Sequence, residues 1–188
     1  MNLSNFLTLI RIAVIPIIVF CIYLKNPYFG WIAFVLFCLA SITDYFDGYI
    51  ARLRNEVTNF GTFLDPIADK LLVAAVILIL TSKGVISDWD TVPALIILLR
   101  EITVSGLREY LAKVQVNMPV TSLAKFKTFI QMFSIALLLT GDTGNKIINF
   151  QDYNAQTIGI VLLWVSAFLT IYTGYHYLKR GINKVISD

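Results

Sequence analysis

Six long apolar runs separated by short polar breaks dominate this sequence and restrict the folds open to it. A helix needs about 20 residues to cross the roughly 30 Å hydrocarbon core of a bilayer, and each run is close to that length. The breaks are rich in Gly, Asn, Pro and charged residues, which interrupt helices. The predicted helical segments are residues 6–25, 29–51, 62–82, 92–112, 121–140 and 155–178. Because the runs are continuous rather than alternating, they favour helices over the strands of a β-barrel.

The composition of the chain agrees with a membrane as its solvent. Hydrophobic residues make up 57% of the chain and charged residues only 14%, whereas soluble domains carry about 25% charged residues. We therefore predict an all-α integral membrane protein, a bundle of six transmembrane helices built as a single domain over residues 1–188. Cys21 and Cys38 fall inside apolar runs, so they are interpreted as buried hydrophobic residues rather than as a disulfide or a metal pair.

The placement of the positive charges predicts the orientation of the bundle. With six crossings and a cytoplasmic N-terminus, only Lys25, Lys83 and Lys146 of the 15 lysines and arginines fall on the outer side. Cytoplasmic loops of membrane proteins carry an excess of Lys and Arg. The chain is therefore expected to lie in the cytoplasmic membrane as a multi-pass protein with its N-terminus in the cytosol.

Four aspartates interrupt the apolar pattern at the cytoplasmic ends of the second and third segments. Asp44 and Asp47 are three residues apart, and Asp65 and Asp69 are four residues apart, so each pair lies on one face of its helix. The charge-free parts of both segments are too short to span a bilayer unless their helices continue through these aspartates. The short link between the two segments predicts antiparallel neighbouring helices, so we expect the two pairs to converge on the cytosolic side.

Four converging carboxylates in a poorly solvated place repel one another and require cations. Ionised groups at this depth are costly and usually functional. Oxygen ligands suit hard ions such as Mg²⁺, Mn²⁺ or Ca²⁺, and a two-metal site can hold a diphosphate during an in-line displacement. The small residues Gly48, Ala51 and Gly61 would let a helix or a nucleotide approach closely, and Arg52 can reach a phosphate.

The same residues carry a resemblance to a known family. Its signature, with x for any residue, is D-x2-D-G-x2-A-R-x8-G-x3-D-x3-D. The matching positions are Asp44, Asp47, Gly48, Ala51, Arg52, Gly61, Asp65 and Asp69. The chain thus resembles the CDP-alcohol phosphotransferase family. The resemblance implies a homodimeric bundle of six transmembrane helices with a cytosol-facing cavity, a CDP-linked donor, and CMP as the leaving group.

The resemblance also implies roles for individual residues. Two Mg²⁺ or Mn²⁺ ions would be bound by Asp44, Asp47 and Asp65. Asp69 would act as a metal ligand, as the general base, or as both. The residues expected to contact the CDP group are Asp44, Gly48, Arg52, Thr58, Asn5, Thr8 and Arg11.

The acceptor alcohol is predicted from basic residues of the fourth and fifth segments. Arg108, Lys125 and Lys127 can converge beside the metal site and bind an anionic acceptor such as glycerol 3-phosphate. By charge alone, they could equally satisfy the positive-inside rule and contact lipid headgroups. Residues 5–11, 100–108 and 124–132 resemble the bacterial-type family members that use glycerol 3-phosphate. The expected reaction is therefore phosphatidyl transfer from CDP-diacylglycerol to glycerol 3-phosphate, with inositol phosphate, serine or phosphatidylglycerol as alternative acceptors.

The pattern of acidic residues bears on two function classes other than this transferase. A cation transporter or channel predicts acidic residues distributed through the membrane depth, whereas the four aspartates cluster at one face. A non-catalytic membrane scaffold gives no reason for four aspartates at fixed spacing.

Arg100 and Glu101 are further charges at membrane level. Because they are adjacent on a predicted helix, they point in different directions, and each is expected to need a separate partner. For Glu101 we predict a structural ion pair with a basic residue of a neighbouring helix.

Overall fold

The computed structural model describes residues 3–24, 26–54, 59–114, 121–147, 149–150 and 153–187. Within these ranges the chain is almost entirely helical. The helices are α1 (Leu3–Tyr23), α2 (Pro27–Arg54), α3 (Asn59–Ser82), α4 (Thr91–Lys113), α5 (Ser122–Leu139), the short α6 (Gly141–Ile147) and α7 (Ala155–Ser187). A 3-10 helix, Asp88–Asp90, precedes α4. Two short antiparallel strands, β1 (Asn149–Phe150) and β2 (Tyr153–Asn154), precede α7.

Each of the six predicted segments corresponds to one long helix. As predicted, α2 continues through the positions of Asp44 and Asp47, and α3 begins before Asp65 and Asp69. The polar stretch after α5 was expected to be only a break, but α6, β1 and β2 lie in it. Cys21 and Cys38 are free thiols within helices.

Three helical stretches are long and apolar enough to cross a bilayer: Asn5–Tyr23, Ser122–Leu139 and Ala155–Lys179. A fourth apolar stretch, Tyr28–Thr43 in α2, is shorter. The helices α3 and α4 have 24 and 23 residues, which is enough length to span, but charged side chains interrupt their apolar sequence. The architecture is therefore a helical bundle with three candidate spans in the part of the chain described, and the full count of six crossings stays a prediction.

The long helices form two groups of three. In the first helix group, α1 packs along both α2 and α3, and in the second helix group, α7 packs along both α4 and α5. Contacts of α5 with α2 and α3, and of α3 with α4, join the two groups. The buried apolar core runs through both groups and includes Ile18, Phe37, Leu72, Leu80, Ile97, Ile135, Leu138 and Leu163.

Glycines allow α7 to lie close to its neighbours. A Cβ atom at Gly159 would lie 2.8 Å from Cδ2 of Leu138 on α5, and one at Gly181 would lie 2.8 Å from Cδ2 of Leu107 on α4. The buried hydroxyl of Ser134 donates to the Gly159 carbonyl across 2.7 Å. Small residues and interhelical hydrogen bonds are the usual means of helix association in membranes, and here they fix α7 in the second helix group.

The turn between α3 and α4 is held by a glycine and by a contact from α7. Gly84 has φ of +71°, a left-handed conformation that glycine adopts without strain at the end of a helix. The N–H of Val85 donates to the Leu80 carbonyl at 3.0 Å, and the Val85 carbonyl accepts from Nε2 of Gln156 at 3.1 Å. These bonds fix the end of the bundle that lies opposite the aspartates of α3.

Candidate active site

The signature residues are divided between α2 and α3. The positions of Asp44, Asp47, Gly48 and Arg52 belong to α2, but their side chains lie outside the described set, and Thr58 lies outside the described residues. The side chains of Asp65 and Asp69 on α3 are described. Convergence of all four carboxylates therefore stays a prediction, whereas the surroundings of the two aspartates on α3 are observed.

Two side chains of α1 hold the aspartates of α3. Oγ1 of Thr8 donates to Oδ1 of Asp65 at 2.5 Å, and Nη1 of Arg11 donates to Oδ1 of Asp69 at 2.9 Å. Thr8 and Arg11 are both buried. Because residues three or four apart share a helix face, the two contacts lie side by side where α1 packs against α3.

The Arg11–Asp69 ion pair is asymmetric in its exposure. The side chain of Arg11 is 1% exposed, whereas that of Asp69 is 44% exposed. The guanidinium therefore approaches Asp69 from the protein interior, and the carboxylate keeps an outward face. A carboxylate has about four acceptor positions on its two oxygens, so the contact with Arg11 is compatible with binding a cation or accepting a proton.

The contacts of α1 were not foreseen. Asn5, Thr8 and Arg11 were expected from the resemblance to contact the CDP group. The structure places Thr8 and Arg11 against the aspartates of α3, and Asn5 is also buried on α1. The signal available in the sequence was three polar residues at intervals of three inside an apolar run, since an arginine at membrane depth requires a partner.

Lys70, which had no predicted role, joins α3 to α4. Its Nζ donates to Oγ of Ser105 on α4. The negative charges of Glu101 and Asp69 both attract its ammonium group. Lys70 therefore joins the segment of α3 that carries the aspartates to α4.

Glu101 and Lys127 join α4 to α5. Nζ of Lys127 lies 2.5 Å from Oε1 of Glu101, and the Lys127 side chain is 2% exposed. The prediction of an ion pair between Glu101 and a neighbouring helix is confirmed. The expectation of separate partners for Arg100 and Glu101 is only partly correct, because Arg100 reaches Thr173 on α7 but also lies 3.4 Å from Oε1 of Glu101.

The other two basic residues predicted to bind the acceptor are exposed. Arg108 lies on α4, where its charge acts on Lys70 of α3, and Lys125 lies in the first turn of α5. Only Lys127 of the three is buried and ion-paired in the described set. Convergence of all three on one acceptor stays a prediction.

The described carboxylates fit part of a site for a hard divalent cation. No group of three or more His, Cys, Asp or Glu side chains forms a metal cluster among the described residues, which do not include the side chains of Asp44 and Asp47. Asp65 and Asp69 carry carboxylate oxygens, the kind of ligand that Mg²⁺ and Mn²⁺ prefer. The donors from α1 can orient these carboxylates as outer hydrogen-bond partners orient metal ligands.

Comparison with known proteins matches nearly the whole chain. The family model described as CDP-alcohol phosphatidyltransferase matches residues 1–172. A Rickettsia bellii protein named CDP-diacylglycerol–glycerol-3-phosphate 3-phosphatidyltransferase is 53% identical over 178 residues, covering 95% of this chain and 94% of the relative. A Shigella flexneri protein of that name is 37% identical over 182 residues, covering 96% and 94%. One from Cereibacter sphaeroides is 35% identical over 212 residues, covering 96% of both chains.

Proposed function

Because this chain belongs to the CDP-alcohol phosphatidyltransferase family, we propose that it transfers the phosphatidyl group of CDP-diacylglycerol to glycerol 3-phosphate. The products are phosphatidylglycerophosphate, a precursor in phospholipid biosynthesis, and CMP. Relatives named for this reaction match over nearly the full length of the chain, at up to 53% identity. In the structure, the observation that carries the proposal is the pair of aspartates on α3 held by Thr8 and Arg11.

The metal site is proposed to comprise Asp44, Asp47, Asp65 and Asp69, holding two Mg²⁺ or Mn²⁺ ions. When bound, these ions would neutralise the diphosphate of the donor. Support comes from the spacing of the four aspartates and from the donors that orient Asp65 and Asp69. The CDP group is proposed to contact Asp44, Gly48, Arg52, Thr58, Asn5, Thr8 and Arg11.

Asp69 is proposed as the general base, with metal binding as its alternative or additional role. Its partly exposed carboxylate can accept the proton of the 1-hydroxyl of glycerol 3-phosphate while Arg11 holds one oxygen. The hydroxyl oxygen then attacks the phosphorus that bears diacylglycerol, the bond from that phosphorus to the CMP oxygen breaks, and CMP leaves with the electron pair. Positioning and electrostatic stabilisation supply most of the acceleration in such a reaction.

Arg108, Lys125 and Lys127 are proposed to bind the phosphate of the acceptor. The side chain of Lys127 is buried and contacts Glu101 of α4. An ammonium has three donors, so one N–H can bond Glu101 while the others reach a phosphate. These features support the role of Lys127.

The enzyme is proposed to be a homodimer in the cytoplasmic membrane, with six crossings per subunit and the active site facing the cytosol. The asymmetric placement of lysines and arginines supports the orientation, and the six long helices among the described residues support the number of crossings. The homodimer is proposed on the family resemblance alone.

One assay tests the reaction and its acceptor together. The purified protein in detergent would receive CDP-diacylglycerol and Mg²⁺ with glycerol 3-phosphate, inositol phosphate, serine or phosphatidylglycerol in separate reactions, and mass spectrometry would identify the lipid product. We expect phosphatidylglycerophosphate and CMP only in the reaction that contains glycerol 3-phosphate. A lipid product with a different acceptor would overturn the acceptor assignment. An absence of CMP release with all four acceptors would overturn the assignment of the protein as a transferase.

A further inference from the structure

Three charged side chains form a cluster between α4, α5 and α7, which we call the Glu101 cluster: Arg100, Glu101 and Lys127. One carboxylate oxygen, Oε1 of Glu101, lies 2.5 Å from Nζ of Lys127 and 3.4 Å from Nη1 of Arg100. A single acceptor atom is therefore shared by two cationic groups that come from different helices.

Arg100 is fixed on its α7 side. Its Nη2 donates to Oγ1 of Thr173 at 3.4 Å. A Cβ atom at Gly174 would lie only 3.1 Å from Cγ of Arg100, so glycine at this position lets the arginine stem lie directly along α7. Arg100 is thus held between α7 and Glu101, and it limits the positions open to the Glu101 carboxylate.

Among the side chains that the structure describes, the Glu101 cluster carries one more positive charge than negative. Arg100 and Lys127 are cations, Glu101 is the anion, and Lys127 is 2% exposed. Excess charge in a buried place is unfavourable unless a counter-ion is present. A lysine that served only to balance Glu101 would be superfluous beside Arg100, whereas an anionic ligand would balance the extra charge.

The Glu101 cluster is connected to the aspartates of α3. Ser105 lies one turn beyond Glu101 on α4, and it accepts a hydrogen bond from Nζ of Lys70, the residue that follows Asp69. The charges of both Glu101 and Asp69 act on the Lys70 ammonium. Glu101 and Ser105 are four residues apart and share one face of α4, so an anion bound by Lys127 beside Glu101 would lie at the face of α4 that contacts α3.

We propose that Glu101, supported by Arg100, is a positioning residue for the acceptor, holding the ammonium of Lys127 where it binds the phosphate of glycerol 3-phosphate. The inference rests on the proposed function, which makes Lys127 a ligand of that phosphate. Glu101 itself is an anion and acts through Lys127 rather than on the substrate.

The test compares steady-state constants of Glu101→Gln and the unaltered enzyme, with each substrate varied separately. We expect KM for glycerol 3-phosphate to rise about tenfold, by analogy with the lower end of the effect seen when a metal ligand loses its outer hydrogen-bond partner. KM for CDP-diacylglycerol should change by less than about twofold. Glu109→Gln is the matched control, because it removes the same charge from an exposed position of the same helix. Equal rises in both KM values, or no rise, would overturn the positioning role.

Lys127→Gln separates this inference from the function on which it rests. If Lys127→Gln leaves KM for glycerol 3-phosphate unchanged, the acceptor role of Lys127 in the proposed function is wrong. If Lys127→Gln raises that KM and Glu101→Gln does not, only the role of Glu101 is overturned.

Glu101→Asp keeps the test decisive if the glutamine at 101 destabilises the protein. It retains the negative charge of the ion pair but withdraws the carboxylate by one methylene from its contact with Lys127. Our proposal predicts a raised KM for glycerol 3-phosphate with KM for CDP-diacylglycerol unchanged, and a normal KM for glycerol 3-phosphate in folded Glu101→Asp would overturn the positioning role.

Discussion

Arg11 of α1 donates a hydrogen bond through Nη1 to Oδ1 of Asp69 on α3, across 2.9 Å and a sequence separation of 58 residues. The Arg11 guanidinium is buried, whereas the Asp69 carboxylate is partly exposed. Arg11 fixes the position of the carboxylate from inside the bundle, and Asp69 keeps a partly exposed face. The neighbouring Thr8–Asp65 bond repeats this arrangement one turn away.

Replacing Arg11 by Gln should destabilise the first helix group. A hydrogen bond to a charged group contributes roughly 1.5–3 kcal/mol, and the shorter amide does not carry the charge that compensates Asp69. The unfolding midpoint in detergent should fall by several degrees, and CMP release should fall with it. Lys179→Gln, which removes an exposed positive charge from α7, serves as the control. Equal midpoints for the two variants would contradict a stabilising role for the Arg11–Asp69 pair.

Replacing Thr8 by Val should weaken metal binding. Valine has nearly the same shape as threonine but cannot donate to Asp65, so the carboxylate loses a group that orients it. Outer-partner mutations usually weaken metal binding by about 10–100-fold. The Mg²⁺ concentration for half-maximal activity, together with calorimetric Mg²⁺ binding, measures the effect. Thr8→Ser keeps the hydroxyl and should stay close to the unaltered protein. An unchanged Mg²⁺ requirement in Thr8→Val would count against Asp65 as a ligand.

Replacing Asp69 by Asn should abolish turnover without unfolding the chain. The amide oxygen can still accept from Arg11, but it cannot take a proton, and general-base catalysis contributes about 10²–10⁴-fold. CMP release should therefore drop by at least about 100-fold, while size-exclusion behaviour stays normal. Asp90→Asn is the matched control, because Asp90 accepts from Nε1 of Trp164 at the opposite end of the bundle. Full activity in Asp69→Asn would remove Asp69 from its proposed role.

A side chain at Gly159 should separate α5 from α7. The Cβ atom of Gly159→Ala would lie 2.8 Å from Leu138, and overpacking of this kind typically costs about 1–3 kcal/mol. Gly106→Ala on α4 is the control, since a Cβ there meets no atom within 4 Å and alanine favours a helix by roughly 0.5–1 kcal/mol. Thermal unfolding in detergent should give a lower midpoint for Gly159→Ala than for Gly106→Ala. The reverse order would show that the α5–α7 contact tolerates expansion.

The long helices could be predicted because the length of an apolar run and the residues that interrupt it are local properties. The charge-free part of the second segment was too short to span, which correctly predicted that α2 continues through the position of Asp47. The prediction of a simple break over 141–154 was wrong. Gly, Asn and Asp are typical of turns, but the structure has α6 and the paired strands β1 and β2 in this stretch.

The contacts between helices were less accessible to prediction, because they depend on how distant segments cross. The sequence indicated that Glu101 needs a basic partner, but it did not identify Lys127, 26 residues away on α5. Thr8 was similarly separated from Asp65 by 57 residues. The resemblance predicts substrate contacts for Thr8 and Arg11, and these contacts stay a prediction, but it did not indicate that the packing of α1 on α3 brings both residues to the aspartates.

The bond between α1 and α3 also bears on the biogenesis of the protein. At a synthesis rate of about 5–20 residues per second, the 58 residues between Arg11 and Asp69 correspond to roughly 3–12 s of translation. During this interval the nascent first helix carries a guanidinium whose eventual counter-charge has not yet been made. Lateral release of α1 into lipid is therefore expected to be disfavoured until α3 arrives, and we expect α1 and α3 to enter the membrane together.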